Sequence, residues 1–238
     1  METILFLHFH KAGGTTINRL FNNKKKYPLN KNGNPYLDKE TIIHFWNFNL
    51  EQFEQFKRML KKLEVRFIAM EWNFFKNDVS FKGVRLITCL RDPYDRFISN
   101  LNYDKKLDAR EYQKENIKCS DYVNKKPFYI NYNKNNYYVK LLNGLGDRPD
   151  VDVDESDLEN AKKLLEKFRD IIILEKPWTF NQLKKYGIKN YYKKNETLTP
   201  KIDGGMTREE FVKNNMLDYE LYNYACYLVE NKKKLKKK

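Results

Sequence analysis

The stretch "FLHFHKAGGTTI", residues 6–17, joins an apolar run to two glycines and two threonines. The run "TILFLHF" (3–9) is short and apolar and is followed by Lys-Ala-Gly-Gly, which is typical of a buried parallel strand. The next segment, "TTINRLF", predicts the beginning of a helix. Because the N-terminus of a helix presents N–H groups and a positive dipole, this strand–turn–helix unit predicts a loop that binds an anion.

The position of Lys11 distinguishes this loop from the common nucleotide-binding loop. In G-x-x-x-x-G-K-[ST] the lysine follows the glycines, whereas Lys11 precedes Gly13 and Gly14. The glycines permit a close backbone approach and positive φ angles. Thr15 and Thr16 add hydroxyl donors, and Lys11 can reach the same charge from the end of the strand. A Gly-Gly turn beside a lone surface lysine is the alternative, and this motif alone does not decide between the two.

Further segments predict an α/β fold. Three more strands are expected at "VRFIAM" (65–70), "VRLITCL" (84–90) and "IIILE" (171–175), and helices are expected at 50–63, from a capping box of Ser156 and Glu159, from a cap of Thr207 and Glu210, and along Leu217 to Leu228. Strands that alternate with helices predict a parallel sheet with helices on both faces. The segment 100–150 is polar and rich in tyrosine, and either a substrate-covering insertion or irregular surface would explain it.

Length and charge limit the organisation and the partners. The 238 residues predict one domain over 1–230, followed by a frayed basic tail at 231–238. The net charge of +14 favours an anionic partner such as nucleic acid, a phosphorylated cofactor or an acidic polymer. The three cysteines have no CxxC spacing, so we expect neither a zinc site nor disulfides. No apolar run near 18 residues and no signal peptide are visible, which predicts a soluble, cytoplasmic protein without membrane partners.

A second candidate anion loop is "CLRDPYDRFIS", residues 89–99. Arg91 ends a predicted strand, Asp92 suits a helix N-cap and Pro93 suits the first helical position. Arg91 from the strand end and Ser99 from the helix could hold a second phosphate. The alternative is that Arg91 forms an ordinary surface ion pair with one of the aspartates that follow it.

Together, "FLHFHKAGGTTI" and "RLITCLRDPYDRFIS" resemble the 5′-phosphosulfate loop and the 3′-phosphate motif of sulfotransferases that use 3′-phosphoadenosine 5′-phosphosulfate (PAPS). The chain is most similar to the carbohydrate O-sulfotransferases of the heparan sulfate 2-O and 6-O type. The segments "AKKLLEKFRDIIILEK" and "LDYELYNYA" also resemble later parts of that family. The resemblance is weak over 22–60 and 100–150, where acceptor specificity is expected.

The resemblance implies a P-loop-like sulfotransferase fold and a role for each matching residue. Lys11 would contact the bridging oxygen of the leaving phosphate, and Arg91 and Ser99 would hold the 3′-phosphate. The cradle of the 5′-phosphosulfate would be Ala12, Gly13, Gly14, Thr15 and Thr16. It further implies a hydroxyl acceptor, first a carbohydrate and second a phenol or tyrosine, and no metal. The oligomeric state is left open.

The general base departs from the commoner family pattern. Where many relatives have a histidine, "FIAMEWNFF" has Glu71, and the aromatic residues beside it would raise the pKa of its carboxyl by desolvation. His44 is the alternative base, and an ion pair with a nearby Lys or Arg is the alternative role for Glu71. We expect His8 to belong to the core and His10 to help shape the loop.

Two rival functions remain at this point. A nucleotide or nucleoside kinase would bind phosphates with a similar fold, although the chain lacks the usual lysine position. A basic nucleic-acid-binding module would explain the net charge, although no recognisable motif interleaves aromatic and basic residues.

Overall fold

The computed structural model describes residues 3–22, 54–55, 57–58, 61–62, 67–71, 82–111, 135–145, 151–188 and 206–235. In these ranges four strands form one parallel sheet in the order β2-β1-β3-β4. The strands are β1 (Thr3–His8), β2 (Phe67–Glu71), β3 (Val84–Leu90) and β4 (Asp170–Ile173). The predicted parallel sheet is therefore confirmed, and β3 has the predicted bounds.

The described helices follow the strands, and two of them, at 137–142 and 177–186, were not predicted from the sequence. They are α1 (Gly14–Asn22), α2 (Pro93–Glu111), α3 (Tyr137–Leu142), α4 (Glu155–Glu166), a 3₁₀ helix (Pro177–Tyr186), α5 (Arg208–Asn214) and α6 (Met216–Leu235). Of the helix predicted at 50–63, the six described residues are helical. Helix α6 continues to Leu235, and Lys232 Nζ donates to the Phe168 carbonyl at 3.1 Å. The first part of the expected frayed tail is thus helical.

Alternate side chains of β1 enter two different cores. Leu5 and Leu7 pack with residues of α3, α4 and α6 on one face of the sheet. Ile4 and Phe6 pack on the other face, with residues of α1 and of the 3₁₀ helix. Because successive strand residues point to opposite faces, this division places helices on both sides of the sheet, as predicted.

The two predicted helix caps have different outcomes. Thr207 and Glu210 form the expected capping box of α5, with distances of 2.8 and 3.2 Å. The cap expected at Ser156 and Glu159 is wrong. Helix α4 begins earlier because the Asp154 carboxylate accepts from the Ser156 N–H at 2.8 Å. Glu159 pairs instead with Lys162 at 2.7 Å.

Part of the segment 100–150 belongs to the core. All six residues of α3 are buried, including Lys140. Neither a substrate-covering insertion nor irregular surface describes this helix, so both interpretations are wrong at 137–142. Residues 112–134 and 146–150 lie outside the described residues.

Candidate functional site

The strand order places a topological switch point between the carboxyl ends of β1 and β3. The chain passes from β1 to β2 on one side and then to β3 on the other side of β1. In open parallel sheets, ligands bind at such a switch point. His8 at the end of β1 is in register with Cys89 near the end of β3. The two loops predicted to bind anions therefore leave adjacent strands, which in a sheet lie about 4.8 Å apart.

The first loop turns through positive φ angles. Gly13 has a φ of 88°, which confirms its expected conformation. Lys11 has a φ of 62°, which the sequence did not predict. A non-glycine residue in this region costs roughly 1–3 kcal/mol and is often found at functional sites. The Ala12 N–H donates to the Phe9 carbonyl at 3.1 Å and the Thr16 N–H to the Gly13 carbonyl at 3.0 Å, so the turn leads directly into α1.

Gly14 is packed against the imidazole of His8. A Cβ added to Gly14 would lie 1.7 Å from His8 Nε2. The His8 ring is half-buried and stacks on Phe6 with ring centroids 5.7 Å apart. The expectation that His8 belongs to the core therefore needs correction, since its polar ring lies against the first residue of α1. The absence of a side chain at Gly14 makes room for this ring.

The Lys11 amine contacts an aromatic ring from the second loop's helix. Lys11 Nζ lies 4.0 Å from the centroid of the Tyr103 ring, a cation–π distance. The His10 ring makes an edge contact with the same tyrosine at 5.6 Å. Tyr103, in α2, is 39% exposed, so this contact is at the protein surface. No sequence motif identified Tyr103.

The second loop has the predicted helix cap. The Asp95 N–H donates to the Asp92 side chain at 3.0 Å, and Pro93 occupies the first position of α2. Asp92 and Asp95 both pair with Arg208, at 3.0 and 2.7 Å. Among the described residues, the cation that pairs with these two carboxylates is thus Arg208. The surface ion pair between Arg91 and one of these aspartates, which the sequence left open, is not formed within the described segment 82–111.

Glu175 supports the same loop from the end of β4. Its carboxylate accepts from the Asp92 N–H at 3.1 Å and from the Tyr222 hydroxyl at 2.9 Å. Burial raises the pKa of Glu175, although these hydrogen bonds and the nearby Arg91 oppose the shift. No local sequence pattern connects Glu175 to Asp92, so the sequence did not predict this role of Glu175.

A pair of buried tyrosines in α3 contacts both loops. The Tyr137 hydroxyl accepts from the His10 N–H at 3.0 Å. The Tyr138 hydroxyl donates to the Arg91 carbonyl at 2.8 Å and lies 3.2 Å from the Arg91 amide nitrogen. Neither tyrosine was predicted as a site residue, because both lie in the polar segment 100–150, which has weak periodicity.

Ser99 and Arg96 differ in their exposure. Ser99 is half-buried on α2, at the end of the second turn of that helix. Arg96 is fully buried, and its guanidinium lies 3.7 Å from the centroid of the Tyr137 ring. Of the two polar residues, Ser99 is the one with access to solvent and hence to a ligand.

Of the two candidate bases, Glu71 and His44, only Glu71 lies among the described residues. The backbone of Glu71 ends β2 and is in register with His8, so it lies at the same edge of the sheet as the first loop. His44 and Trp72 lie outside the described residues. The structure brings Glu71 to the first loop at the level of the backbone.

Other features of the described residues concern metals, thiols and membranes. In this part of the chain, no three His, Cys, Asp or Glu side chains are grouped as metal ligands. Cys89 and Cys226 are free thiols, and Cys119 lies outside the described ranges. No described helix is both long and apolar enough to cross a membrane.

Comparison with known proteins returned no relative. No protein-family model, no curated protein and no solved structure matches the chain. The arrangement of the two loops is therefore the basis for a functional assignment.

Proposed function

We propose that this chain is a sulfotransferase with a P-loop-like fold that moves a sulfuryl group from PAPS to an acceptor hydroxyl, first of a carbohydrate and second of a phenol or tyrosine. The observation behind the proposal is the pairing of β1 with β3, which places His8 in register with Cys89. Two loops suited to anions consequently open from neighbouring strands at one edge. A nucleotide with a phosphate at each end of its ribose fits two such loops.

The first loop is assigned to the 5′-phosphosulfate. The turn at Gly13 and the N-terminus of α1 direct backbone N–H groups toward one edge of the sheet. Thr15 is exposed and Thr16 is buried, so Thr15 has the more accessible hydroxyl. Lys11 neutralises the charge that develops on the bridging oxygen as the bond from sulfur to that oxygen breaks.

The second loop is assigned to the 3′-phosphate. Arg208 pairs with Asp92 and Asp95, so these two aspartates do not occupy the Arg91 guanidinium, which would bind the phosphate beside Glu175. A phosphate held by Arg91 and Ser99 would also lie near the N-terminus of α2. A charge-assisted hydrogen bond and a helix N-terminus both favour an anion there.

Glu71 is assigned as the general base. The acceptor oxygen attacks sulfur, the bond from sulfur to the bridging oxygen breaks, and the hydroxyl proton passes to the Glu71 carboxylate. The register of Glu71 with His8 supports this role, since it puts the end of β2 beside the first loop. His44 remains the alternative base.

Calorimetry with four ligands, namely the adenosine bisphosphate, the monophosphate, ATP and an oligonucleotide, tests the proposal. Because a charge-assisted contact contributes about 1.5–3 kcal/mol, the protein should prefer adenosine 3′,5′-bisphosphate to adenosine 5′-monophosphate by about 10- to 150-fold. Arg91→Ala should abolish most of this preference. Arg169→Ala is the matched control, because Arg169 is an exposed arginine at the opposite edge of the sheet, before β4.

Equal affinity of the unaltered protein for both nucleotides would contradict the proposal. Tighter binding of ATP would favour the kinase, and tighter binding of an oligonucleotide the nucleic-acid-binding module.

A further inference from the structure

The short helix α3 contacts both loops through adjacent residues. The side chains of Tyr137 and Tyr138 are fully buried. Consecutive residues of a helix are about 100° apart around its axis, so their side chains diverge. One hydroxyl therefore reaches the His10 backbone in the first loop, and the other reaches the Arg91 backbone in the second loop.

Hydrogen bonds from two side chains hold the N-terminus of α3: Asp218 in α6, and Asn215, the residue before α6. The Asp218 carboxylate accepts from the Tyr138 N–H at 3.1 Å and from the Val139 N–H at 3.0 Å. The Asn136 N–H donates to the Asn215 side chain at 2.8 Å. Asn136 has a φ of 47°, a left-handed conformation that begins the helix abruptly. These bonds fix where the two tyrosine rings can lie.

The rings themselves pack against residues of both loops. Phe9, which follows β1, makes an edge contact with the Tyr138 ring at 4.8 Å. Arg96, in the first turns of α2, places its guanidinium over both rings, at 3.7 Å from Tyr137 and 5.6 Å from Tyr138. The tyrosine pair is thus enclosed between the two loops as well as bonded to them.

We propose that Tyr137 and Tyr138 are positioning residues that set the separation of the two loops, and that Tyr138, through Arg91, makes the site selective for a nucleotide with both a 3′- and a 5′-phosphate. This inference rests on the proposed function and adds the structural source of its selectivity. Tyr138 aligns Arg91 with the 3′-phosphate, and Tyr137 aligns the first loop with the 5′-phosphate. Neither side chain needs to contact the nucleotide.

Two phenylalanine variants, which keep the rings and remove the hydroxyls, test this inference. A lost hydrogen bond costs about 3- to 10-fold in affinity. Tyr138→Phe should lower the preference for the bisphosphate over the monophosphate by this factor, with little change for the monophosphate. Tyr137→Phe should weaken both nucleotides by a similar factor and leave the preference unchanged. A merely structural role would weaken both nucleotides equally in both variants, and that result would overturn the inference.

A control variant and a second background sharpen the test. Tyr224→Phe removes a hydroxyl that is bonded to Glu166, at the end of α4, and should leave both affinities unchanged. Combined with Arg91→Ala, Tyr138→Phe should have no further effect on the preference, because residues that act through one contact are not additive. Independent, additive effects would contradict the positioning role.

Hydrogen exchange of the unaltered protein covers the case in which a variant fails to fold. The amides of His10 and Arg91 should exchange on the order of 100-fold or more slowly than free amides, because both are bonded to buried hydroxyls. Exchange at the free rate for either amide would overturn the inference. If the unaltered protein lacks the bisphosphate preference, the proposed function fails; if the preference exists and survives in Tyr138→Phe, only this inference fails.

Discussion

The two loops of the candidate site are built in contrasting ways. The turn of the first loop obtains its shape mainly from residues close in sequence, although the remote Tyr137 also bonds the His10 N–H before the turn. The turn needs the positive φ of Gly13, and the start of α1 needs Gly14 because the His8 ring occupies the space of a side chain. The conformation of this turn can therefore be explained from the residues of the loop and of the strand before it.

The second loop depends on residues far along the chain. Arg208 pairs with the two aspartates, and Glu175 accepts from the Asp92 N–H. Tyr138 binds the Arg91 backbone on both its carbonyl and its amide side. A glycine-rich turn can thus be recognised in the sequence as a motif. For a loop held by remote side chains, the sequence reveals the helix cap but not the contacts that hold the loop.

The largest expected effect concerns the strand next to the first loop. If that loop is where the reaction takes place, the base must lie beside it, as Glu71 does at the end of β2. Glu71→Gln keeps the shape of the side chain and should lower the rate of the chemical step by about 10²- to 10⁴-fold. Single-turnover kinetics measures this rate, and His44→Asn is the control with a smaller expected effect. An active Glu71→Gln and an inactive His44→Asn would assign the base to His44.

Lys11→Ala separates catalysis from binding in the first loop. Loss of one transition-state contact should lower turnover by about 10²- to 10³-fold, with a much smaller change in donor affinity. Steady-state kinetics and calorimetry together check this. Lys162→Ala serves as the control, because Lys162 pairs with Glu159 on α4. Equal losses of turnover and affinity would make Lys11 a general binding charge instead.

Asp218 acts on both loops through α3, and its effect depends on pH. Burial raises the pKa of Asp218 from 3.8 to about 6, despite its hydrogen bonds. The folded protein then binds this proton more tightly than the unfolded chain. The stabilisation is complete below about pH 4 and is lost as the pH rises through about 6. Over this range the free energy of unfolding should fall by about 3 kcal/mol relative to Asp218→Asn, as urea unfolding at several pH values would show. If the difference in the free energy of unfolding between the unaltered protein and Asp218→Asn did not depend on pH, the pKa of Asp218 would not be raised in the folded protein.

Gly14→Ala tests whether the first loop is shaped by its own strand. The added Cβ would clash with the His8 ring, and overpacking of this kind costs about 1–3 kcal/mol of stability. The double variant His8→Ala/Gly14→Ala should be less destabilised than the sum of the single variants. Thermal unfolding measures all three. Additive losses would mean that Gly14 is required for another reason.

The smallest effect is expected at the second loop's ion pairs. Arg208 is 45% exposed, and partly exposed pairs contribute about 0–1 kcal/mol. Arg208→Ala should therefore lower stability by less than about 1 kcal/mol, since Glu175 and Tyr138 still hold the loop. A loss above about 2 kcal/mol would mean that one remote contact dominates, which would break the contrast between the loops.

Much of the fold follows from local patterns. The predicted bounds of β3 agree with the structure, and the predicted cap at Thr207 is present. The cap of α4 was misplaced because Asp154 and Ser156 are both good N-cap residues, and only the backbone conformation selects Asp154. Helix α3 was missed because its burial includes Lys140, a residue type that is rarely buried.

The candidate site divides in the same way. Lys11, Gly13 and Arg91 were identified because each stands in a short pattern at the end of an apolar run. Arg208, Glu175 and the two tyrosines were not, because hydrogen bonds and ion pairs between distant segments leave no periodicity in the sequence. The contact between Tyr103 of α2 and Lys11 of the first loop likewise arises only from the packing of distant segments.

Local sequence patterns were enough to predict the strand–turn–helix unit at 3–22, the alternation of strands and helices, and two loops that we expect to bind anions. Hydrophobic periodicity, glycine conformation and helix capping act over a few residues, so these features are readable locally. Three features follow from tertiary packing alone: β1 and β3 are neighbours, His8 packs on Gly14, and α3 joins both loops. These features arise from burial and hydrogen bonding between segments that are distant along the chain, and their energies depend on the whole packed core.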